Sequence, residues 1–229
     1  MGKEEINMNV DRKQVFDYVS NKIDRITQID PKAKVPDRAA RATLARLRRG
    51  VGKMPGAVPE MWGDFLQDMP EEFYNQYSPG SPSYAQWAVY IAQTLFAIHQ
   101  QGWDIQTERA HQENGKSLGT AALELVMSEE MNEGGHKMSD EEIEKSRERI
   151  WRRFYKVAVA DDMMELAYYL RGMVQLFKSN GISLDYIRLA GDLFDFQFQD
   201  RRDRVRLRWG EDFYRIRKGE IDDENESVS

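Results

Sequence analysis

The stretch Tyr84-Ala-Gln-Trp-Ala-Val-Tyr-Ile-Ala-Gln-Thr-Leu-Phe-Ala-Ile-His-Gln-Gln101 decides the fold class. Trp87, Val89, Ile91, Leu95, Phe96 and Ile98 fall on most sides of the helix that this pattern predicts, so the segment must be covered from several directions. It reads as the central helix of a bundle. Pro82 marks a break before it and Gly102 ends it.

The same helical period runs outward in both directions. Upstream, Val15, Val19, Ile23 and Ile26 predict a first helix over 11–29, and Ala40, Leu44, Leu47 and Val51 predict a second from Arg38 to Arg49, stopped by Gly50 and Gly52. Between Pro59 and Leu66 an amphipathic segment carries Trp62 and Phe65. Downstream, a short helix is expected from Ser117 to Met127, then one beginning near Asp140 with Ser139 as its N-cap, then Met163–Lys178 and Ser183–Arg208. No segment shows the period-2 alternation of a strand. The expectation is an all-α protein of two small helical bundles. Residues 1–128 form an N-terminal helical domain, 129–139 an acidic connector around Gly134-Gly135, 140–218 a C-terminal bundle and 219–229 a disordered acidic tail.

Composition agrees with a folded chain and removes several classes of function. Of 229 residues, 41% are hydrophobic and 31% charged, and 5 Trp, 10 Tyr and 10 Phe supply bulk for packing between helices. The chain has no cysteine, so disulfides, thiolate chemistry, zinc fingers and iron–sulfur clusters are excluded, and a cytoplasmic location is expected. Neither a signal peptide nor a membrane span is legible.

The net charge of −6 argues by itself against nucleic acid, but the charges are segregated. Acids crowd into 129–148 and the tail. Arg38, Arg41, Arg46, Arg48, Arg49 and Lys53 form one basic cluster without an internal acid. At about 100° per residue, Arg38, Arg46 and Arg49 point away from Leu44 and Leu47, with Arg41 and Arg48 flanking them. A second cluster, Arg201, Arg202, Arg204, Arg206 and Arg208, contains only Asp203. Arginine pairs bidentately with phosphate or carboxylate, so these strips suit a nucleic-acid backbone or an acidic protein surface.

Other motifs carry little chemistry. Gly115-Lys116-Ser117 has the end of a phosphate-binding loop but Ala110 where the first glycine belongs, and Glu133-Gly-Gly-His136 has no second copy of a metal-binding pair. His99 and His111 lack catalytic partners at any recognised spacing and are expected to be structural. Trp87, Trp151, Phe154, Phe194 and Phe198 are expected in the core, whereas Trp103, Trp209 and Tyr214 could also stack on a base. No catalytic residue, cofactor site or metal site is expected. A small helical hydrolase or oxidase would need motifs that are absent.

Four ordered segments carry a family resemblance. Arg41 to Trp62 (RATLARLRRGVGKMPGAVPEMW) resembles the N-terminal signature of the CasB family, the small subunit of the type I-E CRISPR Cascade complex. Leu95–Gln101 with Ser117–Ala121, then Arg153-Phe154 through Glu165-Leu166 to Leu170-Arg171, and finally Leu184–Tyr186 through Leu193 to Arg208–Tyr214 follow in the family's order. Arg171 joins the two clusters as a candidate nucleic-acid contact. The resemblance implies a non-catalytic subunit present as two copies, beside the large subunit and the backbone subunits of a crRNA-guided complex. It further implies basic surface that holds the displaced DNA strand and steadies the R-loop. Because base pairing reads the sequence in such complexes, the subunit needs backbone affinity without base specificity. The rival expectation is a scaffold whose arginines grip acidic partner subunits and no DNA.

Overall fold

A computed structural model describes residues 10–27, 38–105, 107–131 and 139–215. Among them are nine α-helices: α1 (Arg12–Thr27), α2 (Arg38–Arg48), α3 (Trp62–Leu66), α4 (Tyr84–His99), α5 (Leu118–Met131), α6 (Asp140–Val159), α7 (Met163–Ser179), α8 (Tyr186–Phe196) and α9 (Gln199–Tyr214). The described residues contain no strand, only an isolated bridge between His111 and Leu184. None of these helices is long and apolar enough to cross a membrane.

Local chemistry fixes where the helices begin. Ser83 caps α4 by accepting from Gln86 N while the Gln86 side chain accepts from Ser83 N, and Ser139 and Glu142 repeat this reciprocal pair at α6. Asp162 and Asp185 each accept two backbone N–H groups at the starts of α7 and α8. One expectation is corrected here. The run Ser183–Arg208 is two helices, because Phe198 takes an extended conformation (φ −96°, ψ 128°) and turns the chain between α8 and α9. The turn needs neither glycine nor proline; Phe198 packs edge-on against Tyr84 and Phe194, at 5.1 and 5.2 Å between ring centroids.

Helix α4 is buried on nearly every side and packs against α1, α2, α7 and α8, as its sequence requires. Contacts also cross from one half of the chain to the other: α1 packs on α8, and α5 on α6, α7 and α9. The buried apolar residues of both halves form one continuous cluster. Two glycines allow the closest approaches. A Cβ on Gly191 would lie 1.8 Å from the Phe16 ring, and one on Gly119 would lie 2.2 Å from the Trp209 carbonyl oxygen. Of the connector expected at 129–139, residues 129–131 continue α5 and Ser139 caps α6; residues 132–138 and the tail at 219–229 lie outside the described residues.

Candidate nucleic-acid interface

The helix that presents the first basic cluster is anchored by Ala40, Leu44 and Leu47, which face the core and leave the opposite side to the arginines. That side is not uniformly free. Arg46 donates through Nε to Asp64 Oδ2 at 2.5 Å and through Nη2 to Asp64 Oδ1 at 2.9 Å, and this bonding raises the guanidinium pKa. Arg46 is thereby a link between α2 and α3. Arg48 is half-buried, and burial lowers its pKa. Arg49 stands 4.0 Å from Glu60 with both side chains exposed. Arg38, Arg41 and Lys53 are exposed, and among the described residues no carboxylate lies within 4.0 Å of any of them.

The second cluster behaves differently, because α9 lies against the buried carboxylates of α8. Arg208 meets Asp192 at 2.9 Å, and Arg201 meets Asp195 at 3.4 Å while covering the Phe198 ring at 4.4 Å. Arg12 reaches the same two carboxylates from α1, at 2.7 and 2.5 Å. Burial disfavours the Arg12 charge, yet Asp192 and Asp195 hold its pKa above the ordinary value. Arg202 donates to the Phe196 carbonyl at 2.8 Å, and Arg206 to the Ala158 carbonyl at 2.7 Å. Arg204 is exposed, with exposed Asp200 at 3.7 Å. Four of these five arginines therefore tie α9 to its neighbours.

Known proteins share this architecture. The family model described as CRISPR-associated protein Cse2 matches residues 43–214. The crystal structure of CasB from Thermobifida fusca is 32% identical, covers 88% of this chain and 98% of its own, and superposes with a TM-score of 0.62. This chain belongs to the Cse2 family. Two further CasB structures show the same fold at lower identity. That from Thermus thermophilus is 21% identical with a TM-score of 0.52, covering 89% of this chain and 97% of its own. That from M. ruber is 22% identical with a TM-score of 0.54, covering 96% and 100%. Among curated proteins none matches this chain.

In this Cse2 protein the remaining motifs resolve into packing. Lys116 Nζ lies 2.7 Å from Glu124 Oε2, and Ser117 Oγ donates to Asp212 Oδ2 at 2.6 Å, so the loop that ends like a phosphate cradle is joined to α5 and α9. His99 shares a hydrogen bond of 3.0 Å with the Tyr186 hydroxyl in the core. His111 Nδ1 accepts from Tyr186 N at 3.1 Å. Phe154, Phe194 and Trp209 are fully buried, Trp87, Trp103, Trp151 and Phe198 pack partly buried against the core, and Tyr214 is exposed. The pair Glu133 and His136 lies outside the described residues.

Arg171 sits apart from both clusters, exposed on α7, where it lines a groove of about 540 Å³ with Arg153 and Lys156 of α6 and with Tyr168. The sequence reading missed these three companions. Their signal was present as basic residues three apart on α6 and an exposed tyrosine three before Arg171, but no single run of sequence contains them.

Proposed function

We propose that this protein is the non-catalytic small subunit of a crRNA-guided type I-E Cascade complex, and that it holds the displaced DNA strand and steadies the R-loop through basic surface. It sits with the large subunit, the backbone subunits and a second copy of itself. Family membership supports the assignment to the complex. The observation that supports the strand-holding role is the surface of α2 and the turn after it, where Arg38, Arg41 and Lys53 stand exposed without a carboxylate within 4.0 Å among the described residues. Such cations lower the energy of any phosphate backbone and read no base.

The deciding experiment replaces Arg38, Arg41 and Lys53 together by Ala and titrates salt against binding of single-stranded DNA. The expected result is weaker binding on every sequence, with the log–log salt slope reduced by about 0.7 for each phosphate that is no longer neutralised. In the assembled complex, R-loop stability falls and crRNA loading is unchanged. Unchanged DNA binding together with failed assembly would overturn the reading in favour of a protein scaffold.

A further inference from the structure

The groove between α6 and α7 combines two features found together in sites for unpaired nucleotides. On α6, Arg153 and Lys156 are three residues apart and share a side. On α7, Tyr168, Arg171 and Gln175 recur at i, i+3 and i+7 and face them across the groove. Arg153, Lys156, Tyr168 and Arg171 are all exposed. No carboxylate among the described residues lies within 4.0 Å of Arg153, Lys156 or Arg171. The acid nearest in sequence on α7, Glu165, is engaged locally: it accepts from Asp161 N at 2.8 Å, and its proximity raises the Tyr169 pKa. This contrasts with α9, where Arg201, Arg202, Arg206 and Arg208 are held by carboxylates and carbonyls of neighbouring helices.

Tyr168 supplies the second feature. The residue is 69% exposed, and its only ring contact among the described residues is an edge arrangement with Tyr169, with centroids 5.5 Å apart and planes at 68°. Tyr169 is itself backed by Lys156 Nζ at 5.8 Å from its ring. A large aromatic ring left this open on a rigid helix, among cations without counter-charges, presents a surface for a flat aromatic group that carries negative charge. A nucleotide of a single strand has both properties. A duplex does not, because its bases are stacked on one another.

We propose that the groove seats an unpaired nucleotide of single-stranded nucleic acid, with Tyr168 as the stacking platform and Arg153, Lys156 and Arg171 on the adjoining phosphates. This rests on the strand-holding reading above and adds a second site, on a different pair of helices, with a different mode of contact. Stacking on a tyrosine is tolerant of sequence, so it adds affinity for open strands without base specificity.

The test uses the full chain with a 20-nucleotide oligo-dT strand and with an abasic strand of the same length and charge. Tyr168→Ala is expected to weaken oligo-dT binding about tenfold, close to 1.4 kcal/mol, with an unchanged salt slope. Tyr168→Phe keeps the affinity. The abasic strand binds the wild type at the weakened level and loses nothing further in Tyr168→Ala. Arg153→Ala with Arg171→Ala acts on the salt slope instead, reducing it by about 1.4 for two phosphates. Should both groove variants bind oligo-dT like the wild type while the α2 triple variant loses binding, the groove proposal falls and the strand-holding reading stands. Should the α2 variant also bind normally, both fall. Loss of a Cascade subunit from the groove variants with DNA affinity unchanged would likewise overturn the proposal, marking the groove as a protein contact.

Discussion

Trp209 donates its indole N–H to Asp192 Oδ2 at 2.8 Å, in a site where both residues are almost fully buried. The other carboxylate oxygen, Oδ1, receives Arg12 at 2.7 Å and Arg208 at 2.9 Å. One buried charge thus joins α1, α8 and α9. An isolated carboxylate at this depth would be strongly disfavoured, and two guanidinium groups with an N–H donor compensate it.

Asp192→Ala is therefore expected to lower unfolding stability by roughly 3 kcal/mol, since it leaves Arg208 and the buried Trp209 N–H without their partner and Arg12 with Asp195 alone. Arg208→Ala removes one of two cations and costs less. Urea unfolding of the two variants checks the order. Arg208→Ala should not change the salt slope for DNA binding beyond what the lower stability explains.

Arg46 makes the same distinction within α2. Its side chain is 38% exposed and its pair with Asp64 is screened by solvent, so Arg46→Ala is expected to cost about 1 kcal/mol of stability and little DNA affinity. Asp64→Ala leaves the cation on the surface without its partner. Single-strand binding should then strengthen, with a steeper salt dependence, even as the fold loses a comparable amount. Thermal melting and a salt titration on the same samples separate the two effects.

Gly119 and Gly210 predict opposite signs for one substitution. Alanine normally stabilises a helix interior by about 0.5–1 kcal/mol relative to glycine. Gly210→Ala on α9 meets nothing within 4 Å and should follow that rule. A Cβ at Gly119, 2.2 Å from the Trp209 carbonyl oxygen and 3.0 Å from Phe213 N, runs into backbone that cannot rotate aside. Gly119→Ala should cost about 1–3 kcal/mol by forcing α5 from α9. Melting temperatures of the pair, shifted in opposite directions, provide the check.

The helices were legible because each carries its own apolar stripe, and the Ser139 cap was readable from three following residues. The break at Phe198 was not legible, because it comes from tertiary aromatic contacts to Tyr84 and Phe194 and not from a turn-forming residue. For α2, rotation around the helix correctly separated Leu44 and Leu47 from the arginines. It could not show that Asp64, eighteen residues away, holds Arg46. The α9 cluster was harder still. Its partners Asp192, Asp195 and Ala158 lie on other helices, so a dense arginine run looked like open surface. The groove at Tyr168 was unreadable for the converse reason: Arg153 and Lys156 come from α6, whereas Arg171 and the ring come from α7.

Acid should loosen the core through its histidines. Burial, opposed in part by the Ile182 carbonyl, pushes the His99 pKa from 6.5 down to about 4, and burial lowers His111 as well despite the nearby Asp185 carboxylate. A histidine that binds its proton more weakly in the folded state leaves the unfolded state with more protons between the two pKa values, so stability rises with pH there. Its contribution is complete above about 6.5 and is lost progressively as pH falls toward 4, amounting to on the order of 2–3 kcal/mol for His99 alone. The hydrogen bond to the buried Tyr186 hydroxyl does not offset this, because neutral imidazole can make it equally well. Urea unfolding measured from pH 7.5 to 4.5 should show the decline beginning near 6.5. His99→Gln lowers stability at neutral pH by disturbing the core but flattens the profile across this interval, leaving the smaller His111 component. A wild-type profile that is flat from 7.5 to 5, or a His99→Gln profile as steep as the wild type, would show that the imidazole gains its proton without cost to the fold.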